Sequence, residues 1–302
     1  MPPFSVMLAA TRPRFLPASI LPILIGSAWG ARAAGALDVT ALLLALAATA
    51  LVHAASNVYN DVSDDLLGTD RVNTAHLHPF SGGSRLIQDG LLSRDSMRRL
   101  ALALAVLAIG VGLLLAWQAG PAVLGAGLVG GALGAAYSLP GLRLAGRGLG
   151  EATIAIAFGI LPVTGAAWLQ TGSLDAMALL LALPVSAWVA AIILANEIPD
   201  ASADAATGKR TLAVRLGVRT PRLYAIVQGA GLLAGLACIV RQLLPAWTLA
   251  VFALLFATAL IASRWLGGSH TALRRGIRAT LAIHVIGSIA LIAALLSPAH
   301  SG

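Results

Sequence analysis

Charge is scarce in this sequence. Only 11% of its 302 residues are Asp, Glu, Lys or Arg, against about 25% in soluble domains, which excludes an ordinary water-exposed globular fold. Cysteine is nearly absent. Cys238 stands alone inside an apolar run, so no disulfide framework forms within the chain and thiol usage says nothing of the compartment. The first eleven residues carry no charged side chain, and Arg12-Pro13-Arg14 leads straight into a span-length run, a pattern that reads against a cleaved signal peptide.

Apolar runs are present instead. The chain is 58% hydrophobic with mean hydropathy +0.88, and stretches of about 20 residues, the length that crosses a bilayer as a helix, recur throughout. Nine are expected, at roughly 15–33, 39–59, 98–118, 120–138, 151–170, 175–195, 221–240, 244–264 and 278–296. The fold class is therefore all-α, a polytopic membrane helix bundle, read as a single domain over 1–302.

The net charge of +8 would suit nucleic acid, but its placement argues for a membrane and against nucleic acid. With the N-terminus inside, every Lys and Arg except Arg32 and Arg241 falls on the cytoplasmic side, as the positive-inside rule requires. The expected location is the cell's inner (cytoplasmic) membrane. The acids follow the same side, with only Asp38 and Asp175 outside, which that rule does not demand. A face rich in both signs handles something charged. Trp29, Trp117, Trp168 and Trp247 mark the opposite boundary as an aromatic belt.

Two polar stretches interrupt the apolar pattern where spans end: Asn57-Val58-Tyr59-Asn60-Asp61-Val62-Ser63-Asp64-Asp65 and Asn196-Glu197-Ile198-Pro199-Asp200-Ala201-Ser202-Ala203-Asp204. If the helix continues, positions 57, 60, 61, 64 and 65 share one face, and 196, 200 and 204 repeat every four residues. Carboxylates placed there should face the bundle interior. Clustered Asp needs a cation, and oxygen ligands suit Mg²⁺. Arg71 after the first stripe and Lys209-Arg210 after the second need an anion. Mg²⁺ with a lipid diphosphate satisfies both, and the matching chemistry is loss of that diphosphate, with the allylic cation captured by an acceptor in a cavity closed to water.

Asn60-x3-Asp64-x3-Gly68-x-Asp70, and Asn196-x3-Asp200-x3-Asp204 running into Gly208-Lys209-Arg210-Thr211-Leu212-Ala213, resemble the UbiA-type membrane prenyltransferases. The likeness is strongest to the menaquinone branch, the 1,4-dihydroxy-2-naphthoate polyprenyltransferases. Thr11-Arg12-Pro13, Ala136-Tyr137-Ser138 and Gly146-Arg147-Gly148-Leu149-Gly150-Glu151 add to it. The resemblance implies helices around a central cavity, Mg²⁺-dependent binding of a polyprenyl diphosphate, and prenylation of an aromatic acceptor in quinone biosynthesis. The expected metal-holding residues are Asn57, Asn60, Asp61, Asp64, Asp65, Asn196, Asp200 and Asp204, with Asp61, Asp64 and Asp200 catalytic.

The register of the first stripe stays open between Asn60/Asp64 and Asn57/Asp61/Asp65. Arg71, Arg85, Tyr137, Arg143, Lys209 and Arg210 are candidates for contact with the substrates. For Tyr137 and Arg143 the alternatives are interface anchoring and plain positive-inside charge, and Arg85 would act from a lid. His53, one turn before Asn57, either approaches the acceptor or hydrogen-bonds within the bundle; His284 lies mid-span, where a functional role and a satisfied helix-helix contact both stay open. Arg71–Arg85 departs from the branch pattern, so a non-aromatic lipid precursor stays open as acceptor. An ion-coupled transporter is the rival from another class, although four spans between the stripes put both on one membrane side.

Overall fold

The computed structural model describes residues 3–139 and 141–297, which form helices and, among the described residues, no strand. A short α1 (Phe4–Ala10) and a 3-10 turn lead into α2 (Pro17–Ala34). α3 (Val39–Leu67) breaks at Gly68 into the four-residue α4 (Thr69–Val72). α5 (Arg94–Ala119) and α6 (Ala122–Ser138) follow, and α7 (Gly150–Ile154) joins α8 (Leu161–Thr171) through a π-helical stretch, Ala155–Ile160. α9 (Ala176–Ala206), α10 (Leu212–Leu216), α11 (Thr220–Val240), α12 (Thr248–Leu266) and α13 (His270–Leu296) complete the bundle.

Among the described residues, eight segments are long and apolar enough to cross a membrane, and this is an integral membrane protein. The expected count of nine needs correcting at 120–138. That run is α6, with 17 residues, about 25 Å at 1.5 Å per residue against a hydrocarbon core of about 30 Å. Its ends explain the shortness. Pro121 opens it, and Leu139, which precedes a proline, turns extended (ψ 139°).

Two helices run longer than a span needs. α3 has 29 residues and α9 has 31, about 44 and 46 Å. Both continue through their polar stripes, which therefore ride on regular helix. Each is started by an acid: Asp38 accepts the Ala41 N–H at 2.9 Å and Asp175 accepts the Met177 N–H at 2.8 Å. The two acids expected on the far side are thus helix caps, and Trp29 Nε1 donates to Asp175 at 2.5 Å.

α9 is the central post. Its Leu181, Val185, Trp188, Ala191 and Leu194 are buried in one core with residues of α2, α8, α11, α12 and α13, and Trp188 stacks on Phe252 with ring centres 5.8 Å apart. α2 lies hard against α8 because Gly26 and Gly30 present no side chain. A Cβ at Gly30 would stand 2.6 Å from Gln170 Cβ, and one at Gly26 would overlap the Val163 carbonyl, the small-x3-small device of membrane helices. α3 packs on α5, and α9 meets the π-helical stretch. The loop after α4 is pinned into the same core by Leu77, which is fully buried, and Phe80 lies under Arg278 at 5.9 Å.

Candidate active site

Between α3, the α7–α8 span and α9 lies a cavity of about 210 Å³. One end is polar, lined by Asn57, Asn60 and Asp64 from α3, by Asn196, Glu197, Asp200 and Asp204 from α9, and by Asp70, Asn73 and Lys209. The other is apolar, with Phe15, Leu133, Ile154, Phe158, Val189 and Ile192. Both stripes reach one space.

The cavity wall takes Asn60 and Asp64 from one of the two registers and Asn57 from the other. Turning about 100° per residue, Asn57 and Asn60 come within about 40° of Asp64, while Asp61 sits about 60° and Asp65 about 100° away. Asn60 donates to Asp64 at 3.1 Å, and Asn57 donates to the Thr11 carbonyl at 3.0 Å. Asp61 is behind the wall, paired with Arg12 and accepting the Ser84 N–H at 3.0 Å. Asp65 is buried on the far side, where Arg94 (2.5 Å) and Arg71 (3.3 Å) hold it. The placement of Asp61 and Asp65 therefore departs from the metal-facing stripe expected of them.

The two stripes are tied directly. Lys209 Nζ pairs with Asp64 of α3 and reaches Asp204 of α9 at 3.3 Å. Asp200 receives Asn73 Nδ2 at 2.6 Å and the Gly82 N–H at 3.0 Å. Thr69 and Thr207 hydroxyls meet at 2.9 Å, joining the loops that follow each stripe. The 73–85 loop thus lies over the polar mouth, held by one acid from each stripe. Gly83 makes this close approach possible: its φ is +74°, and a Cβ there would stand 2.9 Å from Asp70 Oδ2 and 3.1 Å from Arg12 Nη2.

Four arginines expected to meet substrate do not line the cavity. Arg71 is mostly exposed and serves Asp65. Arg85, in a left-handed conformation (φ 62°), donates to the Asp70 carbonyl at 3.1 Å and so anchors the loop. Arg143 is likewise left-handed (φ 40°) in the turn after α6. Arg210 is exposed, its N–H on the Gly146 carbonyl at 2.7 Å. Tyr137 and Lys209 do line the cavity. Arg12, Asn73 and Glu197, with no role assigned from sequence, join them there. Beside Arg14 and before a first span, Arg12 reads as topology, and only packing brings it to Asp61, 49 positions along.

Opposed charges set the electrostatics. Burial, and then the neighbouring Asp64 and Asp61, push Asp70 up to about 8. Burial alone would lower Lys209, but Asp64 and Asp204 outweigh it and hold the ammonium above its ordinary range. Arg12 is likewise held charged against burial by Asp61, Asp70 and Asp64.

Among the described residues no three acid, His or Cys side chains form a ready-made metal cage. Mg²⁺ does not need one. It is commonly held by one or two carboxylates while keeping waters and phosphate oxygens. The donor set fits that habit: Asp64 and Asp204 face each other across Lys209, and buried Asp70 Oδ2, Asn196 Oδ1 and Asn73 Oδ1 have no hydrogen-bond partner.

The model of the UbiA prenyltransferase family matches residues 19–279. The chain belongs to the UbiA prenyltransferase family. It is a membrane prenyltransferase. A 1,4-dihydroxy-2-naphthoate octaprenyltransferase of Mycobacterium tuberculosis (strain ATCC 25618 / H37Rv) is 34% identical over 251 residues, 82% of this chain and 81% of that one. Among solved structures, the apo UbiA homolog from Aeropyrum pernix K1 superposes with a TM-score of 0.71 at 21% identity, over 92% of this chain and 98% of that one. A UbiA homolog from Archaeoglobus fulgidus, bound to DMAPP and Mg²⁺, gives 0.65 at 17%, over 95% and 99%. The fold of this UbiA prenyltransferase is theirs.

Proposed function

We propose that this enzyme works as one domain over 1–302, transferring a polyprenyl group from an allylic polyprenyl diphosphate to an aromatic acceptor like 1,4-dihydroxy-2-naphthoate, in quinone biosynthesis. The observation that carries the reading is the meeting of the stripes at Lys209, at the polar end of a cavity whose other end is apolar. The naphthoate prenyltransferase name of the M. tuberculosis relative supports the aromatic acceptor, and the Mg²⁺ and DMAPP of the A. fulgidus homolog support the donor and the metal.

Asp64, Asp200 and Asp204, with Asn57, Asn60 and Asn196, would hold Mg²⁺. When bound, it supplies positive charge against the oxygens of the departing diphosphate. Lys209 and Arg12 add fixed cations at the same mouth, and Tyr137 presents its ring to the cavity wall. Asp61 and Asp200 steady the 73–85 loop, which closes the mouth against water. Asp65 acts as a buried anchor for Arg94, and Arg71 and Arg85 serve the loops. The basic residues flanking this mouth support a site on the cytoplasmic side of the inner membrane.

Family membership removes the transporter reading. A phosphorylated non-aromatic acceptor would call on spare cations, yet Arg71, Arg85, Arg143 and Arg210 do not line the cavity.

Membranes carrying the protein, given labelled prenyl diphosphates of several lengths, Mg²⁺ and a panel of aromatic acids, should yield a prenylated aromatic identified by mass, and none after chelation. Product formed only on a glycerol- or sugar-phosphate acceptor would contradict the reading.

A further inference from the structure

In the apolar half of the cavity one titratable side chain intrudes. His53 lines the cavity and is 6% exposed. It lies on α3 within about 20° of Asp64 in rotation and about 16 Å along the axis, a separation that leaves room for a diphosphate and an aromatic ring end to end. The imidazole is fixed in two ways. Nδ1 is hydrogen-bonded to Ser19 Oγ of α2, and the ring stands edge-on to Phe158 of the π-helical stretch, centres 5.5 Å apart and planes at 87°. Its other nitrogen, Nε2, is buried with no partner. A buried polar atom left unpaired is destabilising, and pre-orienting one at a ligand cavity is how a site reads a hydroxyl. His284 is buried still more deeply and also has an unpaired nitrogen, Nδ1, but it is off the cavity, and its Nε2 reaches the Pro17 carbonyl at 3.3 Å.

We propose that His53 is a specificity-determining residue, pairing through Nε2 with a ring hydroxyl of the aromatic acceptor while Phe158 and Phe15 flank the ring. A hydroxyl both donates and accepts, so it matches His53 in either tautomer. Ser19 is then a positioning residue that sets the imidazole's orientation. The inference rests on the aromatic-acceptor reading above and adds the group by which that acceptor is read.

The test uses purified full-length enzyme with 1,4-dihydroxy-2-naphthoate and its mono-hydroxy analogues as acceptors. His53→Leu should raise the acceptor KM by about tenfold or more while leaving the prenyl diphosphate KM within about twofold. His53→Gln, which retains a nitrogen near Nε2, should recover much of the loss. Removing the contacted hydroxyl should cost the wild type about tenfold in kcat/KM and cost His53→Leu little, since the partner is already gone. Should His53→Leu fail to fold, His53→Gln and Ser19→Ala carry the same comparison, Ser19→Ala raising acceptor KM alone. An unchanged acceptor KM, or an equal penalty for the missing hydroxyl in wild type and variant, overturns the inference while leaving the aromatic-acceptor reading standing. A wild type that prenylates none of the hydroxylated aromatics overturns both.

Discussion

Asp64→Ala should cut prenyl transfer by about a thousandfold, roughly 4 kcal/mol of transition-state stabilisation, in a protein that still inserts and folds. Asp64 is the one acid of the first stripe that faces the cavity, bonds its neighbour Asn60 and pairs with the lysine that reaches the second stripe. Its loss removes a cavity-facing oxygen pair and leaves Lys209 one remaining partner. Folding suffers less, because the change also relieves repulsion among Asp64, Asp70 and Asp204. Asp65→Asn provides the contrast. It touches Arg94, Arg71 and Gln88 and not the cavity, so turnover in the correctly folded fraction should survive. Single-turnover assays on detergent-purified protein at saturating Mg²⁺ separate the two. Comparable activity in Asp64→Ala and wild type would remove Asp64 from the site.

Arg12→Leu should destabilise the protein by about 3–5 kcal/mol, the usual effect of removing one partner of a buried pair, seen as a drop in melting temperature on the order of 10 °C. Asp61 has 3% of its side chain exposed, and without Arg12 it keeps only the Ser84 N–H among its hydrogen bonds. Asp70 and Asp64 lose a neighbouring cation in the same step. The second substitution of Arg12→Leu/Asp61→Leu should restore a good part of the melting temperature, because an apolar pair strands no charge. Activity should not return with it, since the second substitution takes away the Asp61 carboxylate that anchors the Ser84 N–H, and the loop over the mouth would be loose. An Arg12→Leu protein that melts with the wild type would show that the pair contributes nothing.

Much of this was legible in the residues. Runs of about 20 apolar residues mark the spans, and the stripes stand out because acids are rare elsewhere. What hydropathy cannot convey is length of regular helix. α6 is as apolar as its neighbours yet stops at 17 residues, and α3 and α9 pass through polar stretches that a hydropathy plot ends at residues 59 and 195. Asp61, Asp64 and Asp65 look alike in sequence because they occupy little more than one helical turn. Their roles separate through partners far along the chain: Arg12 for Asp61, Lys209 for Asp64, Arg94 for Asp65. The arginines near the motifs misled for a related reason. Proximity in sequence to an acidic stripe says nothing of side-chain direction, and left-handed backbone at Arg85 and Arg143 belongs to turns.

The most direct measurement is a structure of the enzyme with Mn²⁺ in place of Mg²⁺ and an unreactive prenyl thiodiphosphate, the metal located by its anomalous signal. The account predicts metal between α3 and α9, in contact with carboxylate oxygens of both Asp64 and Asp204, and Lys209 Nζ moved onto the diphosphate. Metal bound by one helix alone, with Lys209 still spanning the two acids, would contradict it.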